Sequence, residues 1–181
     1  MPKSEHSAFT KTSPKLRLIN PPKALEDAEA RHVKIVVFDD QNRVLAIKSK
    51  NRFVLPGGRV EWDDDDAEAA ARREVFETAN IALGLVKPVT VVKIKDRQNQ
   101  SAQTLVFVGR MAGGGKISSE QRGNNRFMSK ETFFETVGGQ NLLVRSLVET
   151  AQRVLVSEEI KCEQEETAQT GREKYNIGSV F

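Results

Sequence analysis

The chain has 181 residues, a hydrophobic content of 38% and a formal net charge of +3 at pH 7. This length predicts one folded domain with tails, because domains usually contain about 100 to 150 residues, and so small a net charge does not by itself indicate nucleic-acid binding. The only cysteine, Cys162, excludes an intramolecular disulfide, and no apolar run reaches the roughly 18 residues that cross a bilayer, so we expect a cytoplasmic protein without membrane contacts.

The chain begins with a polar, proline-rich stretch, which predicts a flexible N-terminal arm over residues 1–30 with one short strand at Leu16–Ile19. From Val33 onward, HVKIVVFDD predicts a buried strand, DQN the turn and RVLAIKS the hairpin partner. The segment NRFVLP then leads into a Gly-Gly turn at Gly57 and Gly58. A sheet therefore runs directly into a glycine loop.

An Ala-rich helix is predicted from Asp66 to Thr78, with Ala71, Val75 and Ala79 as its inward-facing stripe. After the helix, KPVTVVKIK and AQTLVFVGRM have the apolar patterns of strands, and FMS predicts another short strand.

Two further helices are expected over Glu131–Thr136 and Asn141–Val156. This order of elements predicts an α+β fold in a domain over residues 31–157, with helices packed on a sheet. The remaining segment, 158–181, is rich in Glu and Gln and poor in apolar residues, so it predicts a disordered C-terminal tail.

Eight carboxylates follow the Gly-Gly turn before the predicted helix ends. Glu74, Glu77 and Thr78 project from one helix face, because residues three and four apart are neighbours there. Two carboxylates this close repel each other unless a cation lies between them, and oxygen ligands suit Mg²⁺ or Mn²⁺. The Gly58 carbonyl can add an oxygen ligand, and Arg73 can pair with Glu77 along the helix. A solvated acidic face without a metal is the alternative interpretation.

This stretch resembles the Nudix box, a family motif in which R-E-U-x-E-E-x-G-U follows a glycine and a glutamate at fixed spacing, U being bulky and apolar. The run Arg73-Glu74-Val75-Phe76-Glu77 matches the motif, the preceding LPGGRVE is typical of the family, and Ile81 fits the last position. The likeness extends over roughly Arg31 to Val156. It implies a Nudix-type α/β/α sandwich with a mixed β-sheet.

The first acidic position of the motif is shifted. The spacing from Gly58 to Arg73 is one residue longer than in the family pattern, so either Asp64 or Asp65 stands in place of the first glutamate. The Asp63–Asp66 run can compensate as metal ligands or can cap the helix, and the sequence leaves both interpretations open.

Thr78 replaces the second glutamate of the E-E pair, and Asn80 replaces the glycine. Asparagine tolerates a left-handed helix end, whereas threonine offers a metal only a neutral hydroxyl. The resemblance implies that Glu74, Glu77 and the Gly58 carbonyl hold the metal, with both glutamates catalytic.

The resemblance also implies a catalytic base and a phosphate-binding surface. Glu120, seven residues before Phe127-Met128-Ser129, resembles a late-loop glutamate that lies at the metals in some members, and an ordinary loop glutamate is the alternative interpretation. Basic residues around the Gly-Gly turn are candidate ligands of phosphate oxygens, namely Lys48, Lys50, Arg52 and Arg59.

We therefore expect a Mg²⁺- or Mn²⁺-dependent pyrophosphohydrolase whose partner is a small-molecule nucleoside diphosphate derivative. A catalytically weakened Nudix-fold module that binds a nucleotide or a protein is the second hypothesis, supported by Thr78 and the shifted first acid. Hydrolysis at RNA 5′ ends, aided by the basic arm, is the third. The sequence leaves the exact substrate and the oligomeric state open.

Overall fold

The structure is a computed structural model that describes residues 31–95, 101–113, 125–137 and 142–175. The predicted arm with its strand at Leu16–Ile19 lies outside these residues. The elements, in chain order, are β1 (His32–Phe38), β2 (Val44–Ser49), β3 (Arg52–Val54), α1 (Ala67–Ala79), β4 (Leu83–Lys95), β5 (Ser101–Met111), β6 (Asn125–Met128), α2 (Lys130–Thr136) and α3 (Leu142–Tyr175).

The strands form one mixed sheet in the order β3-β2-β1-β5-β4, and β6 pairs with β2. Strands β1 and β5 run parallel, with His32 opposite Thr104 and Phe38 opposite Arg110, whereas every other pairing is antiparallel. The mixed sheet confirms the fold class expected from the sequence.

Each face of the sheet packs against helices, because alternate residues of a strand point to opposite sides. On one face, Val33, Ile35 and Val37 of β1 pack with the buried residues of α1, which include the predicted stripe Ala71, Val75 and Ala79. On the other face, Val36 and Phe38 pack with α2 and α3 residues, among them Phe133, Leu147, Val148, Ala151 and Leu155. The result is the expected α/β/α sandwich.

The Gly-Gly loop pairs with the first half of β1, on the side where β2 pairs with its second half. Strands β1 and β2 pair at Phe38 and Val44, next to their connecting turn. Toward the start of β1, the loop takes over the pairing: Val33 N–H donates to the Gly58 carbonyl at 2.9 Å, and Ile35 N–H donates to the Pro56 carbonyl at 3.1 Å. The loop is therefore held by the sheet backbone.

Over residues 158–175 the C-terminal segment differs from the prediction of disorder, which covered 158–181; residues 176–181 lie outside the described residues. Helix α3 continues through this region to its end at Tyr175, and Glu158 lies 3.5 Å from Lys87 while Glu159 lies 2.7 Å from Arg110. Glu158 and Glu159 thus contact the sheet through ion pairs, a kind of contact that apolar content does not indicate. Within the described ranges, no helix is long and apolar enough to cross a membrane.

Candidate active site

Arg73 lies among four carboxylates at the surface of α1. Its Nε and Nη2 donate to the two oxygens of Asp64, each at 2.9 Å. Its Nη1 lies 3.3 Å from Glu77 Oε2, 3.5 Å from Glu74 Oε1 and 3.7 Å from Glu61 Oε1. These partners, Asp64 first, raise the pKa of Arg73. One guanidinium thus gathers Glu61, Glu74 and Glu77, which we call the carboxylate cluster.

The residues of the Asp63–Asp66 run have different roles. Asp64 is the aspartate that meets Arg73, and its carboxylate also accepts the Glu61 N–H at 2.8 Å. The hydrogen bonds from Arg73 hold the pKa of Asp64 below its ordinary value. Asp66 instead caps α1, accepting the Ala69 N–H at 2.7 Å. Of the two aspartates that the motif spacing allows, Asp64, found by counting forward from Gly58, is the one that contacts Arg73. Asp66 caps the helix.

Glu74 packs directly against Gly58. A Cβ on Gly58 would lie 1.7 Å from Glu74 Oε1, so only glycine leaves room for this carboxylate. The Glu74 side chain is 15% exposed. Burial raises the pKa of Glu74, and Arg73 opposes this rise while Glu77 and Glu61 add to it. The structure thus brings together Gly58, Glu74 and Glu77, as the sequence predicts.

Thr78 turns toward its own helix. Its hydroxyl donates to the Glu74 carbonyl, and its carbonyl accepts from the side-chain amide of buried Asn125 on β6. The next turn ends at Asn80, which has φ 52° and ψ 43° and donates its N–H to the Phe76 carbonyl at 2.7 Å. The left-handed helix end expected for Asn80 is confirmed. The Thr78 hydroxyl, by contrast, donates its proton to a backbone carbonyl of the same helix.

Lys34 is a neighbour of the glycine loop that the sequence pattern did not single out. It lies on β1 against the glycine loop, where a Cβ on Gly57 would lie 3.1 Å from Lys34 Cγ. Burial lowers the pKa of Lys34, Arg52 lowers it further, and Glu74 opposes both. A lone charge in the apolar run HVKIVVF is the sequence signal that marks it.

Of the predicted phosphate-binding residues, Arg52 is exposed and lies on β3 opposite Ser49. Lys48 lies on β2 opposite Phe53, and Lys50 occupies the following turn with φ 55°. Arg59 contributes its carbonyl, which accepts from Arg73 at 3.0 Å. Lys48 and Arg59 are exposed, and no hydrogen bond or ion pair joins either side chain to another described residue.

The donor chemistry of the site fits a hard divalent cation. All the candidate metal ligands are oxygens, and the Glu74 carboxylate is largely buried. Arg73 pairs with both Glu74 and Glu77. No group of three or more His, Cys, Asp or Glu side chains among the described residues has metal-binding geometry. Such a cation would therefore rely on substrate phosphates for part of its coordination, as Mg²⁺ commonly does. Glu120 lies outside the described residues, so its assignment as the base stays a prediction.

Comparisons with known proteins agree with the fold. The NUDIX domain family model matches residues 28–136, and no curated protein matches the chain significantly. Shewanella oneidensis NrtR has a TM-score of 0.57 at 18% identity over 70% of this chain and 64% of that chain, so this chain spans less than two thirds of NrtR.

Two further structures share the fold. The Caenorhabditis elegans Ap4A hydrolase has a TM-score of 0.55 at 14% identity over 70% of this chain and 98% of that chain. The NUDIX domain of NrtR complexed with ADP ribose has a TM-score of 0.55 at 20% identity over 74% of this chain and 92% of that chain. With most of its length matched by the family model, the chain belongs to the NUDIX domain family.

Proposed function

We propose that the protein is a divalent-metal-dependent enzyme that cleaves a nucleoside diphosphate linked to another moiety, with its activity in a domain over residues 31–157. The observation that carries this proposal is the convergence of Glu74 and Glu77 on Arg73 beside the Gly58 backbone. Its partner would be a small nucleotide derivative, and the single cysteine favours a cytoplasmic location.

Each residue of the site has a distinct role in this proposal. Glu74, Glu77 and the Gly58 carbonyl would hold Mg²⁺ or Mn²⁺, which when bound would neutralise phosphate charge and lower the pKa of a water molecule. Arg73 keeps both glutamates in place, because its guanidinium reaches one oxygen of each. Arg52 attracts the substrate phosphates, and Glu120 is our candidate for the group that accepts the proton of the attacking water.

The substrate class draws support from a related fold. The NUDIX domain of NrtR was solved with ADP ribose, which is a nucleoside diphosphate joined to a sugar. The identity to that domain is 20%, so the likeness supports the fold and leaves the second moiety open. A panel of nucleoside diphosphate derivatives is therefore the right starting point.

A metal titration across such a panel tests the proposal. We expect hydrolysis that requires Mg²⁺ or Mn²⁺ and stops with EDTA, measured as phosphate released after treatment of the products with a phosphatase. Glu77→Gln should lower this rate by about 100-fold. Replacing even a residue that only supports a metal ligand can lower metal affinity or activity by up to about that factor, and Glu77 is proposed as a ligand itself. Because the Glu77 side chain is 57% exposed, its melting temperature should stay near that of the wild type. Full activity in Glu77→Gln would refute the metal assignment.

A binding module without catalysis is the second candidate, favoured by the contact of Thr78 with its own helix. If the missing carboxylate limits the site, Thr78→Glu should tighten Mg²⁺ binding by about tenfold or more and raise turnover, because carboxylates supply most of the attraction for a divalent ion. Thr78→Gln is the matched control, since it adds similar bulk without charge. Calorimetric Mg²⁺ titration decides the question, and equal affinities in the two variants would remove Thr78 as a cause of weak activity.

A further inference from the structure

Trp62 is the only tryptophan of the chain, and it is 96% exposed among the described residues. Tryptophan is on average one of the more buried residues in folded proteins. A single exposed apolar side chain is nevertheless common on protein surfaces, so exposure alone does not indicate a partner. What distinguishes Trp62 is the way in which its backbone is held and the segment of chain that lies beside it.

The turn that carries Trp62, which we call the acidic turn (Glu61–Asp65), is fixed on both sides of the ring. The Glu61 N–H donates to Asp64 Oδ2 at 2.8 Å, and the Asp64 N–H donates to the Glu61 carbonyl at 3.3 Å. Asp64 also accepts two hydrogen bonds from Arg73 of α1, each at 2.9 Å. Because these contacts hold the neighbours of Trp62, its ring stays on the surface.

The chain enters β1 directly beside the acidic turn. The Arg31 carbonyl accepts the Val60 N–H at 3.2 Å, and His32 forms an antiparallel bridge with Arg59. In an antiparallel pair, going back along one segment corresponds to going forward along the other. The chain that precedes Arg31 therefore runs toward Trp62.

Residues 1–30, which lie outside the described residues, contain an apolar segment with basic neighbours. The segment Leu16–Ile19 has three apolar residues and Arg17, and Lys15 precedes it. Residues 1–25 contain five Lys and Arg residues and a single acidic residue, Glu5. The eleven residues between Ile19 and Arg31 span up to roughly 36 Å when extended, so the segment can reach the acidic turn.

The acidic turn carries the complementary charge. Asp63 and Asp65 are exposed, and neither makes a hydrogen bond or ion pair with another residue that the structure describes. An isolated surface ion pair contributes little to binding. A segment tethered by a short linker, however, binds at a high effective concentration, so a few weak contacts are enough to hold it.

We propose that Leu16–Ile19 docks on the acidic turn of the same chain and packs against Trp62. The basic residues of the segment then lie beside the unpaired carboxylates of the turn. Burying the tryptophan ring provides the main driving force, because a tryptophan removes about 150 to 250 Å² of surface from water. The docked segment borders the carboxylate cluster, since Glu61 belongs to both, but the docking does not depend on the proposed function.

The fluorescence of Trp62 tests the docking, because no other tryptophan contributes. Quenching by acrylamide, which is uncharged, is measured on the full chain as the wild type, the double variant Leu16→Ser/Leu18→Ser and Phe9→Ser. Phe9 is the matched control, an apolar residue before the docking segment. We expect the double variant to be quenched at least about twice as strongly as the wild type, because a twofold difference corresponds to docking in half of the molecules.

Phe9→Ser should be quenched as the wild type is, and circular dichroism checks that all three proteins are folded. Equal quenching of the wild type and the double variant would overturn the docking. A loss of shielding in Phe9→Ser as large as that in the double variant would overturn the assignment to Leu16–Ile19.

The charges of the turn provide a second test that leaves the docking segment unchanged. Asp63→Asn/Asp65→Asn, or about 1 M NaCl added to the wild type, should raise the quenching of Trp62 toward that of the double variant, because both weaken the attraction of the basic segment. Quenching that responds to neither would refute docking by complementary charge.

Dilution of the wild type distinguishes docking within one chain from docking between two copies. The quenching of Trp62 should not change with protein concentration if the segment and the turn belong to the same chain. Shielding that is lost on dilution would identify a second copy as the occupant and overturn docking within the chain.

Discussion

Gly58→Ala is expected to lower the metal-dependent hydrolysis rate by about 100-fold or more, because misplacing a reacting group by about 1 Å can cost that much. The new methyl carbon would lie 1.7 Å from Glu74 Oε1 and 2.3 Å from its carboxyl carbon, so the glutamate must leave its position. The φ angle of Gly58 lies outside the left-handed region, so the effect is steric rather than conformational. Steady-state kinetics at saturating Mg²⁺ provides the measurement.

Gly113→Ala is the matched control for this experiment. Among the residues that the structure describes, a Cβ on Gly113 would meet no heavy atom within 4 Å, so this variant should keep wild-type kinetics and stability. Circular dichroism checks that Gly58→Ala remains folded. Wild-type turnover in a folded Gly58→Ala protein would show that the position of Glu74 against the loop has no part in catalysis.

Asp64→Asn is expected to lower the free energy of unfolding by about 3 kcal/mol, within the range measured when one partner of a partly buried ion pair is removed. The Asp64 side chain is 5% exposed, and it provides both of the short hydrogen bonds that Arg73 makes to a carboxylate. An asparagine retains one acceptor oxygen but no charge. Urea unfolding at neutral pH gives the difference.

The pH dependence of stability provides an independent check on Asp64. Its pKa is lowered from the ordinary 3.8 by Arg73, so the unfolded chain binds this proton more readily than the folded chain does. The stabilisation from Asp64 is therefore complete above about pH 5 and is lost as the pH falls through its lowered pKa. The free energy of unfolding of Asp64→Asn should therefore fall less between about pH 5 and lower pH than that of the wild type.

Asp65→Asn separates the specific contact from a general effect of charge. Asp65 is exposed and adjacent, so its replacement should change stability by no more than about 0.5 kcal/mol. If the two variants lost equal stability, the contact between Asp64 and Arg73 would not be the source of the effect.

Local patterns predicted much of the fold, because the relevant contacts are close in sequence. The β1–β2 hairpin, the buried stripe of α1 and the left-handed cap at Asn80 each depend on neighbours within a few residues. By contrast, Glu158 and Glu159 of α3 pair with Lys87 and Arg110, which are far from them in the chain. Contacts of that kind leave no periodic trace in the sequence.

The candidate site was predictable to a similar extent. Glu74, Glu77 and Gly58 follow from a motif, and the structure brings them together. The inserted residue made the position of Asp64 ambiguous by counting, and only its contact with Arg73 separates it from Asp65. The pattern of β1 marked Lys34 as part of a strand, but the approach of the glycine loop is a tertiary contact.

The pairing of the Gly-Gly loop with β1 limits how the site can move. To lift away from the sheet, the loop would have to break the hydrogen bonds that Val33 and Ile35 donate to it, leaving two strand amides without acceptors. Local opening of this kind belongs to the costly end of native fluctuations rather than to lid-like motion. The backbone of the Gly-Gly loop is therefore expected to keep its position when a substrate binds. Conformational changes on binding would then involve the side chains of α1 and parts of the chain other than this loop.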